Sequence, residues 1–207
     1  MKAMMILAAI IAAQGSPDSG AGIGTFIGDG MEVETRFNGD LNGDGLADVV
    51  FVERGKDDKR DMVALVGYRS ETDIGFDKAG EMPLDAFPLG PASFSFKKGV
   101  LAVDDLTGGT TATSSTYRFR FDTAARRMRL IGLDAKLYSR TNNHGWSSVS
   151  WNLLTGAMIH EQADLIEGKT HEENSYGPAK TRREVRKSKP VFMEDAPSGE
   201  SFFNIGE

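Results

Sequence analysis

The chain has 207 residues, with 24 basic and 30 acidic side chains and no cysteine. That length fits one domain or at most two small ones, and a hydrophobic content of 40% describes an ordinary globular chain. The formal net charge of −6 argues against generic nucleic-acid binding, and the missing cysteines exclude disulfides, thiolate zinc sites, iron–sulfur clusters and a cysteine nucleophile.

Lys2 supplies a positive start, and residues 3–13 then run uncharged and apolar. Ala13-Gln14-Gly15 places small residues where a signal peptidase cuts, and Ser16-Pro17-Asp18 opens a polar stretch. This is the anatomy of a secretory signal peptide over residues 1–15. The apolar run is too short to span a bilayer, which takes about 20 residues, and no later stretch approaches that length. The expected location is periplasmic or secreted, without a transmembrane segment. Residues 16–30 read as a flexible leader with one short strand around Ile23 to Ile27, and residues 31–207 as one β-rich domain.

Beyond the leader, apolar residues recur with period two. Val33, Thr35 and Phe37 share a face, and Val49-Val50-Phe51-Val52 is a continuous apolar run, as in a strand covered on both sides. Residues 62–68 (MVALVGY) should pair antiparallel with it. Glu71 to Pro91 holds Pro83, Pro88 and Pro91 and reads as a long loop. Phe94 and Phe96 lead through Lys97-Lys98-Gly99 into Val100 to Val103, a hairpin. Residues 116–121 (TYRFRF) and 127–131 (RMRLI) form another, and Trp146 to Leu154 turns at Thr155-Gly156 into Ala157 to Ile159. Residues 180–189 (KTRREVRKSK) alternate with one apolar member, Val185, and predict an edge or partly exposed strand. The expected fold is all-β, an antiparallel meander of hairpins forming a sandwich or a partly closed barrel.

The segment with the clearest chemistry is Asp40-Leu41-Asn42-Gly43-Asp44-Gly45-Leu46-Ala47-Asp48. Side-chain oxygens fall at loop positions 1, 3, 5 and 9 (Asp40, Asn42, Asp44, Asp48). Gly45 sits at the sharp turn, and Leu46 offers a backbone carbonyl. A hard cation wants several oxygen ligands at 2.3–2.6 Å, so the spacing points to calcium in a structural role. An EF-hand would place a glutamate where Phe51 stands, so this is not one. The loop instead resembles the calcium-binding loop of FG-GAP and VCBS-type repeats, over about residues 33–52. That resemblance implies calcium held by Asp40, Asn42, Asp44, Asp48 and the Leu46 carbonyl. Only one repeat is present, which excludes a multi-bladed propeller.

Weaker signals are His144, His160 and His171, which have no metal-ligand spacing. Adjacent His160 and Glu161 should point to opposite faces of a strand. Trp146 and Trp151, five apart, should do the same. Serines cluster at residues 113–115 and 147–150 without a nucleophile-elbow motif. Arg182, Arg183, Arg186 and Lys187 offer contact with an anionic envelope polymer or protein. The expected function is a non-enzymatic binding or envelope-associated role, with a small secreted hydrolase acting on envelope polymers as the alternative. A cleft with convergent His, Asp or Glu would favour the hydrolase.

Overall fold

A computed structural model describes residues 22–71, 73–166 and 175–203. The signal-peptide expectation and His171 lie outside these residues. The protein is all-β and antiparallel, with two open sheets packed face to face. The first holds β1 (Glu32–Gly39), β2 (Asp48–Arg54), β3 (Arg60–Arg69) and β4 (Ile74–Pro83), in chain order. The second holds β5 (Ser93–Lys97), β6 (Val100–Gly108), β7 (Thr111–Asp122), β8 (Arg127–Ser139), β9 (Trp146–Asn152), β10 (Ala157–Ala163) and β11 (Lys180–Val185). They too lie side by side in chain order, and β12 (Val191–Phe192) returns to pair with Arg129 and Leu130 of β8. Among the described residues no helix is long and apolar enough to cross a membrane.

The continuous apolar run of β2 is buried on both faces. Val50 and Val52 enter the core between the sheets, where they join Met62, Leu101, Phe119 and Leu130. Val49 and Phe51 face the other way and pack with Val63, Leu65 and Ile23. The cover over that second face is a short 3-10 helix, Gly24–Phe26, and not the short strand expected around Ile23 to Ile27. Only one turn is needed to lay Ile23, Phe26 and Ile27 on the sheet, and this stretch has no strand to pair with.

Antiparallel pairing joins β2 to β3 from Val49↔Leu65 to Arg54↔Arg60, and β7 to β8 from Thr111↔Ser139 to Asp122↔Arg127, as the turn signals predicted. The hairpins β5–β6 and β9–β10 also form where expected. The reading of Glu71 to Pro91 as one long loop is corrected. Residues 74–83 are β4, paired with β3 across a register shift at Ala64/Leu65. Ala79 and Met82 carry its apolar face, and Pro83 ends the strand without interrupting it. A register shift between Val33 and Thr35 breaks the alternation of β1. It leaves Val33 exposed and turns Glu34 toward Arg60.

Candidate functional site

The loop from Asp40 to Asp48 connects β1 to β2 and is ordered by its own side chains. Asp40 Oδ1 accepts from the amides of Gly43 (2.7 Å) and Asp44 (3.2 Å), and Oδ2 from Gly45 (3.0 Å). Asn42 Oδ1 accepts from Asp44 N at 2.9 Å, and the Asn42 amide donates to Asp44 Oδ2 at 2.9 Å. Gly43 and Gly45 have φ of 82° and 83°, which a residue with a side chain adopts at a cost. Leu41 is buried in the main core and pins the loop from beneath.

Asp48 plays a different part. Its carboxylate is fully buried, with Oδ2 accepting from Leu41 N (2.6 Å) and Asn42 N (3.3 Å) and Oδ1 from Gly67 N of β3 (2.8 Å). Burial pushes its carboxyl above the usual aspartate range. The three amides oppose that push, and Asp44 adds to it. Gly67 is required for this approach, because a Cβ there would lie 2.7 Å from the Ala47 carbonyl. Asp40, Asn42 and Asp44 are thus gathered at the loop surface while Asp48 anchors the loop to the sheet. The donors are all oxygen, the chemistry of a hard cation. Among the described residues no three His, Cys, Asp or Glu side chains form a metal-holding group by themselves.

A second feature lies at the far end of the larger sheet. A groove of about 590 Å³ is lined by Thr111, His144, Ser147, His160, Gln162 and Phe202, with the Glu161 carboxylate at its border. The register explains its character. Trp151 pairs with Met158, Val149 with His160, and Ser147 with Gln162, so these residues share the inner face of β9 and β10. The face is apolar at one end, where Val149, Trp151 and Met158 are buried beneath the C-terminal segment, and polar at the other. Phe202 meets Trp151 edge-on at 6.2 Å and forms one wall. Trp146 points to the opposite face, as its spacing predicted, and lies beneath the Lys136 ammonium at 4.7 Å.

His144 sits in the β8–β9 connection with both ring nitrogens engaged. Nδ1 lies 2.6 Å from the Gly145 carbonyl oxygen and Nε2 lies 2.9 Å from Thr111 Oγ1. A carbonyl only accepts, so Nδ1 carries the proton; in the neutral ring Nε2 then accepts from the Thr111 hydroxyl. His160 Nε2 lies 3.3 Å from Glu184 Oε1, while Glu161 on the other face accepts from Thr181 at 3.2 Å. The expected divergence of His160 and Glu161 is therefore present.

Strand β11 is the edge of the eight-stranded sheet, and all six of its residues are exposed. Register places Arg182 opposite His160 and Lys180 opposite Gln162, on the groove side. These residues border a second cavity of about 380 Å³, which shares His160, Glu161 and Gln162 with the first. The other basic residues of the segment diverge. Arg183 faces away, and the Arg186 guanidinium lies 5.0 Å over the Trp151 ring while its carbonyl accepts from Trp151 Nε1 at 3.2 Å. Lys187 lies beyond the strand end.

No sequence signal marked the largest fully buried side chain, Arg60. Arg60 has a fully buried side chain whose five N–H groups all find acceptors. Nε and one Nη2 hydrogen take the Glu34 carboxylate (2.8 and 2.7 Å), Nη1 and Nη2 take the Asp105 carboxylate (3.0 and 2.9 Å), and Nη1 also reaches the Asp85 carbonyl (3.2 Å). Glu34 and Arg60 belong to one sheet and Asp105 to the other, so the guanidinium joins them. Burial pushes the Glu34 carboxyl up, but hydrogen bonds from Arg60 and Ala92 and the charges of Arg60 and Arg54 outweigh it and hold it below the usual glutamate range. Burial dominates at Asp105 and raises its carboxyl despite Arg60. No family model, no curated protein and no solved structure matches the chain.

Proposed function

We propose that the chain is an exported, non-enzymatic binding protein whose β1–β2 loop takes a structural calcium ion and whose polar groove engages an anionic polymer of the envelope. One observation carries the binding reading. The inner face of β9–β11, which a sandwich would normally fill with apolar side chains, presents Ser147, His160 and Gln162 and runs out to Lys180 and Arg182. Lys180 and Arg182 meet Asp164 and Glu184 at 2.9 and 3.2 Å, but both cations are largely exposed, and a polyanion can displace such pairs. Affinity for a polyanion should fall with salt, because exposed charges are screened within about 8 Å at 0.15 M. The double substitution Lys180→Ser/Arg182→Ser should cost about 0.5–2 kcal/mol of binding, roughly 2- to 30-fold in Kd. Titration at low and physiological salt reads this, and a salt-independent isotherm would count against it.

For the loop, calcium should raise the melting temperature modestly where sodium does not. Extracellular modules bind with Kd of about 0.1–1 mM, so ~1 mM calcium contributes about 0.4–1.4 kcal/mol. Asp44→Ala should abolish the rise. Identical melts with and without calcium in the unsubstituted protein would remove the metal from this account.

A hydrolytic reading is favoured by the hydrogen-bonded Thr111–His144 pair, oriented by the Gly145 carbonyl at the groove wall, and by the His144, His160 and Glu161 side chains that line the same groove. A hydroxyl beside an oriented imidazole is the arrangement of an activated nucleophile. On this reading an activated ester is turned over, and Thr111→Val lowers the rate by about 10²-fold or more. Unsubstituted protein that leaves such esters intact sinks it.

A further inference from the structure

The groove and the basic edge lie on one face of one sheet, and together they specify the kind of polymer. We infer that the groove seats a sugar ring of an acidic polysaccharide, whose carboxylates run out over Lys180 and Arg182. This rests on the anionic-polymer reading above and deepens it.

Beside the Glu161 carboxylate at its border, the groove supplies hydroxyl, amide and imidazole groups able to donate and to accept. Ser147 and Gln162 are direct cross-strand partners on the inner face, and neither side chain has a hydrogen-bond partner among the described residues. The Thr111 hydroxyl and the His160 imidazole flank them. Hydroxyl and amide groups in this mixture match sugar hydroxyls, which also donate and accept. A site for a bare phosphate or sulfate would want donors and positive charge instead, and neither Lys nor Arg lines the larger groove. Phe202 adds an apolar wall, only partly covered by its edge-on contact with Trp151, against which the C–H face of a pyranose can lie.

Size and continuity agree with this. About 590 Å³ falls within the range of small-molecule sites. The groove opens through His160 and Gln162 into the second cavity. Ser147, Gln162 and Lys180 occupy matching positions on three neighbouring strands, so the backbone positions of Ser147 and Lys180 are two strand spacings apart, roughly 10 Å. Lys180 and Arg182 line only the edge cavity, so a chain alternating ring and carboxylate would meet its cations there. An extended acidic peptide would instead add a strand to the free edge of β11 and would not reach Ser147, two strands inboard.

The test is calorimetric titration of the full chain with four probes at 0.15 M salt: oligogalacturonate, polyglutamate of matched charge, inorganic polyphosphate and a neutral cello-oligosaccharide. Oligogalacturonate should bind at least about tenfold more tightly than the others. Ser147→Ala/Gln162→Ala should weaken it about tenfold without changing its salt dependence or the binding of polyglutamate. If the double variant fails to fold, Gln162→Glu at the same exposed position should weaken oligogalacturonate more than polyglutamate. Three polyanions bound equally, with the groove variants silent, would overturn the sugar assignment and leave the anionic-polymer reading standing. Preference for the neutral oligosaccharide would also overturn it. If no polyanion binds at any salt concentration, the anionic-polymer reading itself fails.

Discussion

Arg60→Met should destabilise the protein by about 3–5 kcal/mol at pH 7, the cost of breaking a buried ion pair and leaving its partners uncompensated. The buried Asp105 and the partly buried Glu34 carboxylates would remain facing an apolar side chain, and the Asp85 carbonyl would lose its donor. The sign of the pH dependence follows. Without the guanidinium, burial raises both carboxyls, so the folded variant binds more protons than the unfolded chain and its stability rises as pH falls. Its deficit relative to the unsubstituted protein should therefore shrink between pH 7 and pH 4. Urea unfolding at the two pH values measures this, and a loss below about 1 kcal/mol at pH 7 would contradict it. Arg60→Lys should recover little, since an ammonium has three donors where the site holds five acceptors.

Asp48→Ala is expected to cost about 2–5 kcal/mol even in the presence of a calcium chelator. It strands the amides of Leu41 and Gly67, which are buried, and frees that of Asn42, and an unsatisfied buried group costs about 1–3 kcal/mol. Asp44→Ala removes contacts on the exposed side of the loop and should cost much less in chelator. The pair separates anchoring from ligation by thermal melts with and without calcium. Equal losses for the two variants in chelator would show that Asp48 is not the anchor.

Much of the fold was legible because strand signals are local. The uninterrupted Val49–Val52 run reported burial on both faces, and the Gly-containing connections at residues 97–99 and 155–156 marked their hairpins. Strand β4 was hidden because Gly75, Asp77, Lys78, Gly80 and Glu81 dilute its alternation to Ala79 and Met82, and three prolines in the region suggested a loop. Arg60 lies in the run Lys56-Asp57-Asp58-Lys59-Arg60-Asp61, which reads as a solvated turn. Only the register shift in β1, which turns Glu34 inward, and the docking of the second sheet make it a buried centre. The loop residues Asp40 to Asp48 were found by spacing alone. The groove was not, because Ser147 and Gln162 are ordinary polar residues until cross-strand register brings them together, and Phe202 is distant in sequence. Of the basic segment, alternation located the edge strand but did not single out Lys180 and Arg182 as the pair beside the groove.

The order of strands has a kinetic consequence. Every sheet pairing except that of β12 joins neighbours in the chain, so most of the architecture closes by short loops that form quickly. The C-terminal segment is the exception, since β12 returns across more than fifty residues to Leu130 and Phe202 to Trp151. Long-range closure of this kind comes late. The groove therefore cannot gain its Phe202 wall until the chain has been made as far as that residue. A molecule clipped before Phe202 would lack that wall of the pocket.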